Sequence, residues 1–195
     1  MNVTKTQMAM GGIGLAAVVA ALTAGTTALF TSQATIGANT FTNGTITLTT
    51  NPSTALVTFS SMMPGDVVTN PLTVTSGAAS GALRYAVSSS ATNGDTKALR
   101  DQLVLTVKTV DVDTTVPCDG FDGTQLYTGD LKGGATGKII GDNTTGAQAG
   151  DRALAGNTSE ILCFRVSLPI GTADSFQGAT TTATFTFDAE QTKNN

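Results

Sequence analysis

Histidine and tryptophan are absent from this 195-residue chain, cysteine occurs twice, and only 12% of the residues are charged. Without imidazole, the commonest general base and the commonest metal ligand are both missing, so a Ser-His-Asp triad or a zinc hydrolase has no starting point. Basic residues number 10 against 14 acidic, for a net charge of −4, and no basic cluster offsets that balance. The phosphates of a nucleic acid would be repelled, which excludes it as a partner. Aromatic residues are scarce too, with 2 Tyr and 8 Phe, so a stacking platform for sugar rings is thin. At 40% hydrophobic the chain is too apolar for intrinsic disorder and too evenly mixed for a multi-span membrane protein. Its length suits one folded domain.

Charge is missing altogether from Thr6 through Gly65, and the first part of that stretch has the form of an export leader. Lys5 precedes an apolar run over residues 11–22, and Thr26-Thr27-Ala28 places small residues at −3 and −1 of a cleavage point between Ala28 and Leu29. Residues 1–28 are therefore expected to be removed and the product secreted, touching the membrane only transiently through the leader. The competing reading is an uncleaved anchor helix, since the uncharged run is long enough to span a bilayer. Against it stand the richness in Gly, Ala and Thr and the lack of any following Lys or Arg.

Beyond the leader the chain reads as strand after strand. Threonine, the commonest residue, clusters with Val, Ile and Phe in short runs broken by Gly, Asn, Asp and Pro, the composition of a pleated, half-buried surface. Runs are expected over residues 41–49, 55–59, 67–68 and 72–75, the last two after the turn Met63-Pro64-Gly65-Asp66. Others lie over 82–88, 103–110, 161–168 and 180–188, where Ala183, Phe185 and Phe187 alternate with polar residues. One helix-like stretch, residues 96–102, has Asn93 or Asp95 as a candidate N-cap. The fold class predicted is all-β: a jelly-roll-type antiparallel β-sandwich over residues 40–195, with a long loop excursion over residues 114–159 that holds short strands near Gln125 and Lys138.

The two cysteines, Cys118 and Cys163, lie in that excursion and in a strand run. In an exported chain they are most simply one disulfide, stapling the loop to a strand, the alternative being two unpaired thiols. Asp111, Asp113, Asp119 and Asp122 gather carboxylates that could suit calcium, but EF-hand spacing is absent and the favoured reading is Asp used for turn formation and solubility. Gly133, Gly134, Gly137 and Lys138 do not make a phosphate loop, and no Ser or Thr has a base to activate it. Three Asn-x-Ser/Thr sequons, at Asn43, Asn143 and Asn157, matter only in a glycosylating host. No catalytic residue, metal site or cofactor is expected.

In order, the segments Gly25-Thr26-Thr27-Ala28-Leu29-Phe30, Asn39-Thr40-Phe41-Thr42-Asn43-Gly44-Thr45-Ile46-Thr47-Leu48 and Met63-Pro64-Gly65-Asp66 give the chain a family likeness. It resembles the TasA/camelysin family of secreted surface and biofilm-fibre proteins, well over residues 25–74 and loosely over 179–189. Met62-Met63, the cysteine pair and residues 111–159 depart from that pattern. The resemblance implies a jelly-roll domain, removal of the leader by a SipW-type signal peptidase, and assembly into extracellular fibres, with a minor anchoring or nucleating subunit as a further partner. Camelysin's label as a metalloprotease is not carried over, because the chain has no His and no H-E-x-x-H.

Physical reasoning supports assembly independently. After cleavage the chain would begin Leu29-Phe30-Thr31-Ser32-Gln33-Ala34-Thr35-Ile36, with Phe30, Ser32, Ala34 and Ile36 on one face of an extended strand and Thr31, Gln33 and Thr35 on the other. Such a strand gains by filling a groove in a sheet, its own or a neighbour's. If each copy donates residues 29–39 to the next, the head-to-tail contact does not close and a homopolymer grows. The charges that normally guard strands against such addition are the ones this stretch lacks. Two alternatives stand beside donation: residues 29–36 as the first strand of a monomeric sandwich, and a secreted binding module for carbohydrate or a surface ligand.

Overall fold

Nine strands account for the regular structure of the computed structural model, which describes residues 46–54, 56, 62–110 and 115–193. The leader, its cleavage point at Ala28 and Leu29, the donor residues Phe30, Ser32, Ala34 and Ile36, and Asp111 and Asp113 all lie outside the described residues. So does the run expected over 55–59, apart from Leu56.

The strands are β1 (Leu48–Asn51), β2 (Val67–Ser76), β3 (Leu83–Ala91), β4 (Val104–Thr109), β5 (Gln125–Asp130), β6 (Lys138–Ile140), β7 (Arg152–Leu154), β8 (Ser159–Ser167) and β9 (Ala183–Gln191). They form two sheets, and every pairing is antiparallel. The first sheet runs β1-β2-β8-β4-β5. In the second, β3 carries β9 along its whole length on one side, with β6 and β7 end to end on the other. This is the all-β antiparallel sandwich that composition and alternation predict.

Alternation explains the packing. On β2, β4 and β8 the inward positions Leu72, Val74, Leu105, Val107, Leu162, Phe164 and Val166 are buried, and they meet Leu83, Tyr85 and Val87 of β3 in one core. The outward threonines pair across strands instead: Thr75 with Ser159 at 2.9 Å and Thr106 with Thr128 at 3.1 Å. The two sheets lie the same way round. Tyr85 donates to Glu160 near one end, and the rings of Phe164 and Phe185 meet further along at 5.1 Å.

Several expectations are corrected. Residues 67–68 and 72–75 are not two runs but one ten-residue strand, β2, which keeps Pro71 because its other side carries β1 only from Thr73 onward. The turn before it forms as read: Asp66 N donates to Met63 O at 2.9 Å, and Gly65 takes φ 98°, which the third position of a Pro-Gly turn requires. The helix-like stretch shrinks to a single 3-10 turn, Leu99–Asp101, whose cap position is Ala98. Asn93 and Asp95 do accept amides, from Ala98 at 2.7 Å and Lys97 at 3.0 Å, but in the loop before the turn. The excursion over residues 114–159 holds the short strands expected near Gln125 and Lys138, as β5 and β6, and an unexpected one, β7; β5 extends the first sheet while β6 and β7 complete the second. The last strand starts three residues later than read. Thr180 and Thr182 are taken up by bonds to Asp95 and Thr92, which leaves β9 to begin at Ala183.

Candidate functional site

Two features rise above the general packing: an outer edge and a stapled loop. The edge is that of β9, the longest strand at a sheet margin. The margins of the first sheet are shorter, four residues in β1 and six in β5, and β5 abuts β6. Among the described residues no strand pairs with the outer side of β9 over residues 183–189. Its inward face carries Ala183, Phe185, Phe187 and Ala189, which pack on the core but are only partly buried. The inward residues of β3 and β8 are sealed by comparison, Tyr85 and Phe164 each 1% exposed. Among the described residues the first sheet extends two strands, β2 and β1, beyond β8, whereas the second goes no further than β9, whose Phe185 lies against Phe164 of β8.

β9 is held firmly from its inner side. Phe187 lies 6.0 Å from the Tyr85 ring, and the Arg84 guanidinium pairs with the Glu190 carboxylate. Gly146 N also donates to Glu190, at 3.0 and 3.2 Å to its two oxygens. The bond from Arg84, then that from Gly146, hold the Glu190 carboxyl below the usual carboxylate range. Opposite, burial first and then the 2.6 Å bond to Glu160 push the Tyr85 phenol well above its ordinary value, and Glu160 is also paired with Arg152. These contacts fix the strand's inner side and leave Thr184, Thr186 and Asp188 exposed on the outer face of the sheet.

The stapled loop covers the outer face of β8. Cys118 and Cys163 form the disulfide read from the sequence, with Cα atoms 5.4 Å apart, and both are buried with Phe121. Two cations lie over the Phe121 ring, Arg165 at 3.7 Å and Lys108 at 4.7 Å from its centroid. Asp119 accepts from Gly120 N at 2.7 Å, which is turn chemistry. Among the described residues no three His, Cys, Asp or Glu side chains stand together so as to hold a metal ion.

A family model, camelysin metallo-endopeptidase, matches residues 3–115, more than half of the chain. The chain belongs to the camelysin family. No curated protein matches it. Membership supports a secreted surface or biofilm-related protein, and no described helix is long and apolar enough to cross a membrane. The family's metallo-endopeptidase description asks for a metal centre, and the described donors do not fit one: both cysteines are in the disulfide, histidine is absent from the sequence, and no three described carboxylates stand together so as to hold a metal ion. The matched region ends before Cys118, so the staple and β9 belong to the part of this camelysin-family chain that the family model does not cover. Sequence reasoning found the alternation of β9 but not its position at the margin, because alternation reports which face is buried and not how many neighbours a strand has.

Proposed function

We propose that this camelysin-family protein is an exported structural subunit of an extracellular fibre or biofilm matrix. In this reading it polymerises head to tail when residues 29–36 of one copy add a strand to the sheet of the next. The observation that carries the reading is the margin at β9: a nine-residue strand with two half-buried phenylalanines on its inner face and, over residues 183–189, no described strand on the side away from β3. Long uncovered margins are what soluble proteins avoid, and they invite strand addition. The uncharged run from Thr6 to Gly65 supplies a strand suited to that role. A SipW-type signal peptidase would free it, and a minor subunit would anchor or nucleate growth. No step of this function requires catalysis or a cofactor.

Negative-stain microscopy of the exported protein tests the proposal. The parent is expected to form fibres, and a variant lacking residues 29–37 to remain as separate particles. Fibres of normal length from the deletion variant would end the strand-donation reading.

A further inference from the structure

Resting on that reading, we propose that residues 30–36 of a second copy pair antiparallel with the outer margin of β9, with Ser32 opposite Phe187 and Ala34 opposite Phe185. The argument begins with size. The inward positions of β9 read Ala183, Phe185, Phe187, Ala189: small, large, large, small. The same-face positions of the donor read Phe30, Ser32, Ala34, Ile36: large, small, small, large. Laid side by side with Gln33 opposite Thr186, every large side chain faces a small one. Directly opposed residues on one sheet face have Cβ atoms about 5 Å apart, so this complementarity fills the layer without a clash or a gap. A shift by one residue would turn Phe30 and Ile36 to the outside and set Thr31, Gln33 and Thr35 against the phenylalanines. A shift by two would place Phe30 or Ile36 directly against a phenylalanine.

The size pattern reads alike in both directions, so direction must come from elsewhere. Leu48 pairs with Ser76, Thr75 with Ser159, and the adjacent Glu160 accepts from Tyr85, which sits opposite Ala189. The chain therefore enters β1 at the Gln191 end of β9. To lie in its own margin with a short connection, the segment must run toward that end, parallel to β9. Antiparallel placement in the same copy would require residues 37–45 to travel back along the whole strand, about 27 Å, in nearly full extension. A segment from another copy has no such constraint, and antiparallel pairing, the only kind among the described strands, is the more stable per residue. Direction therefore bears on donor identity: a same-copy donor with a short connection would run parallel, so antiparallel pairing points to a neighbour.

Cysteine pairs in the exported protein test register, direction and donor together. Thr184 and Thr186 point outward and are exposed, so replacing them disturbs no core contact. Gln33→Cys with Thr186→Cys reports register in either direction. Thr35→Cys with Thr184→Cys joins only in the antiparallel arrangement, and Thr31→Cys with Thr184→Cys only in the parallel one. Directly opposed positions bring Cα atoms within the roughly 4.4–6.8 Å of a disulfide, and offset ones do not. After mild oxidation of fibres, the first two variants are expected to give a ladder of covalent multimers on non-reducing denaturing gels, and the third none. A ladder from the Thr31 variant, or cross-links confined to single chains, would overturn the antiparallel second-copy assignment. Fibres that form without any cross-link would overturn β9 as the acceptor while leaving strand donation standing. Absence of fibres from the unsubstituted protein would remove the underlying function.

Discussion

Tyr85 and Glu190 stand on either side of the same pair of strands, and each ties stability to pH in its own direction. The folded state holds the Tyr85 phenol protonated well above its ordinary value, and burial raises Tyr127 in the same sense. Stability from these groups is intact below about pH 10, where the unfolded phenol ionises, and is lost as pH rises from there toward the folded value. Urea midpoints measured across that alkaline range should fall for the parent and fall less for Tyr85→Phe. Glu190 behaves oppositely. Its depressed carboxyl contributes stability above the ordinary carboxylate range, and that contribution disappears on acidification through the folded value. Asp95, Asp101 and Asp142 are lowered too, so the acid limb is shared. Glu190→Gln should therefore flatten that limb only in part, which the same urea titration at low pH would reveal. Neither group is conspicuous in the sequence, where Arg84 and Glu190 are separated by most of the folded region.

At the scale of elements, the stapled loop and β9 differ in how they were legible. The cysteine pair announces itself in an exported chain, and the structure forms the expected bond. By the chain-entropy argument, closing a separation of 45 residues stabilises by about 4 kcal/mol. Replacing both cysteines with Ala should lower the unfolding free energy by about that amount, read from urea curves under non-reducing conditions. β9 announces its inward face through Phe185 and Phe187, and Phe185→Ala should cost about 2 kcal/mol, less than a sealed core phenylalanine because the ring is only partly covered. β7 was not legible at all. Arg152, Ala153 and Leu154 are too few to show a period, and only pairing with Leu83, Arg84 and Tyr85 makes them a strand. Pro71 misled in the other direction, because a proline reads as a break until the neighbouring strand is seen to be short.

For the whole molecule, fold class was written in composition, while the arrangement of margins emerges only from long-range pairing. The family description and the chain's own donors also pull apart at this scale. Casein zymography of the purified protein, with and without a chelator, is expected to show no cleavage; a chelator-sensitive band would contradict the non-enzymatic reading. The far side of the second sheet bears on the shape of any polymer. There β6 and β7, three residues each, leave β3 flanked by an interrupted border in which no continuous run is long enough to receive another chain. On the proposed strand donation, a building block with one place to give and one to receive would make lines and not networks. Micrographs of young filaments should accordingly show ends and crossings, but no forks.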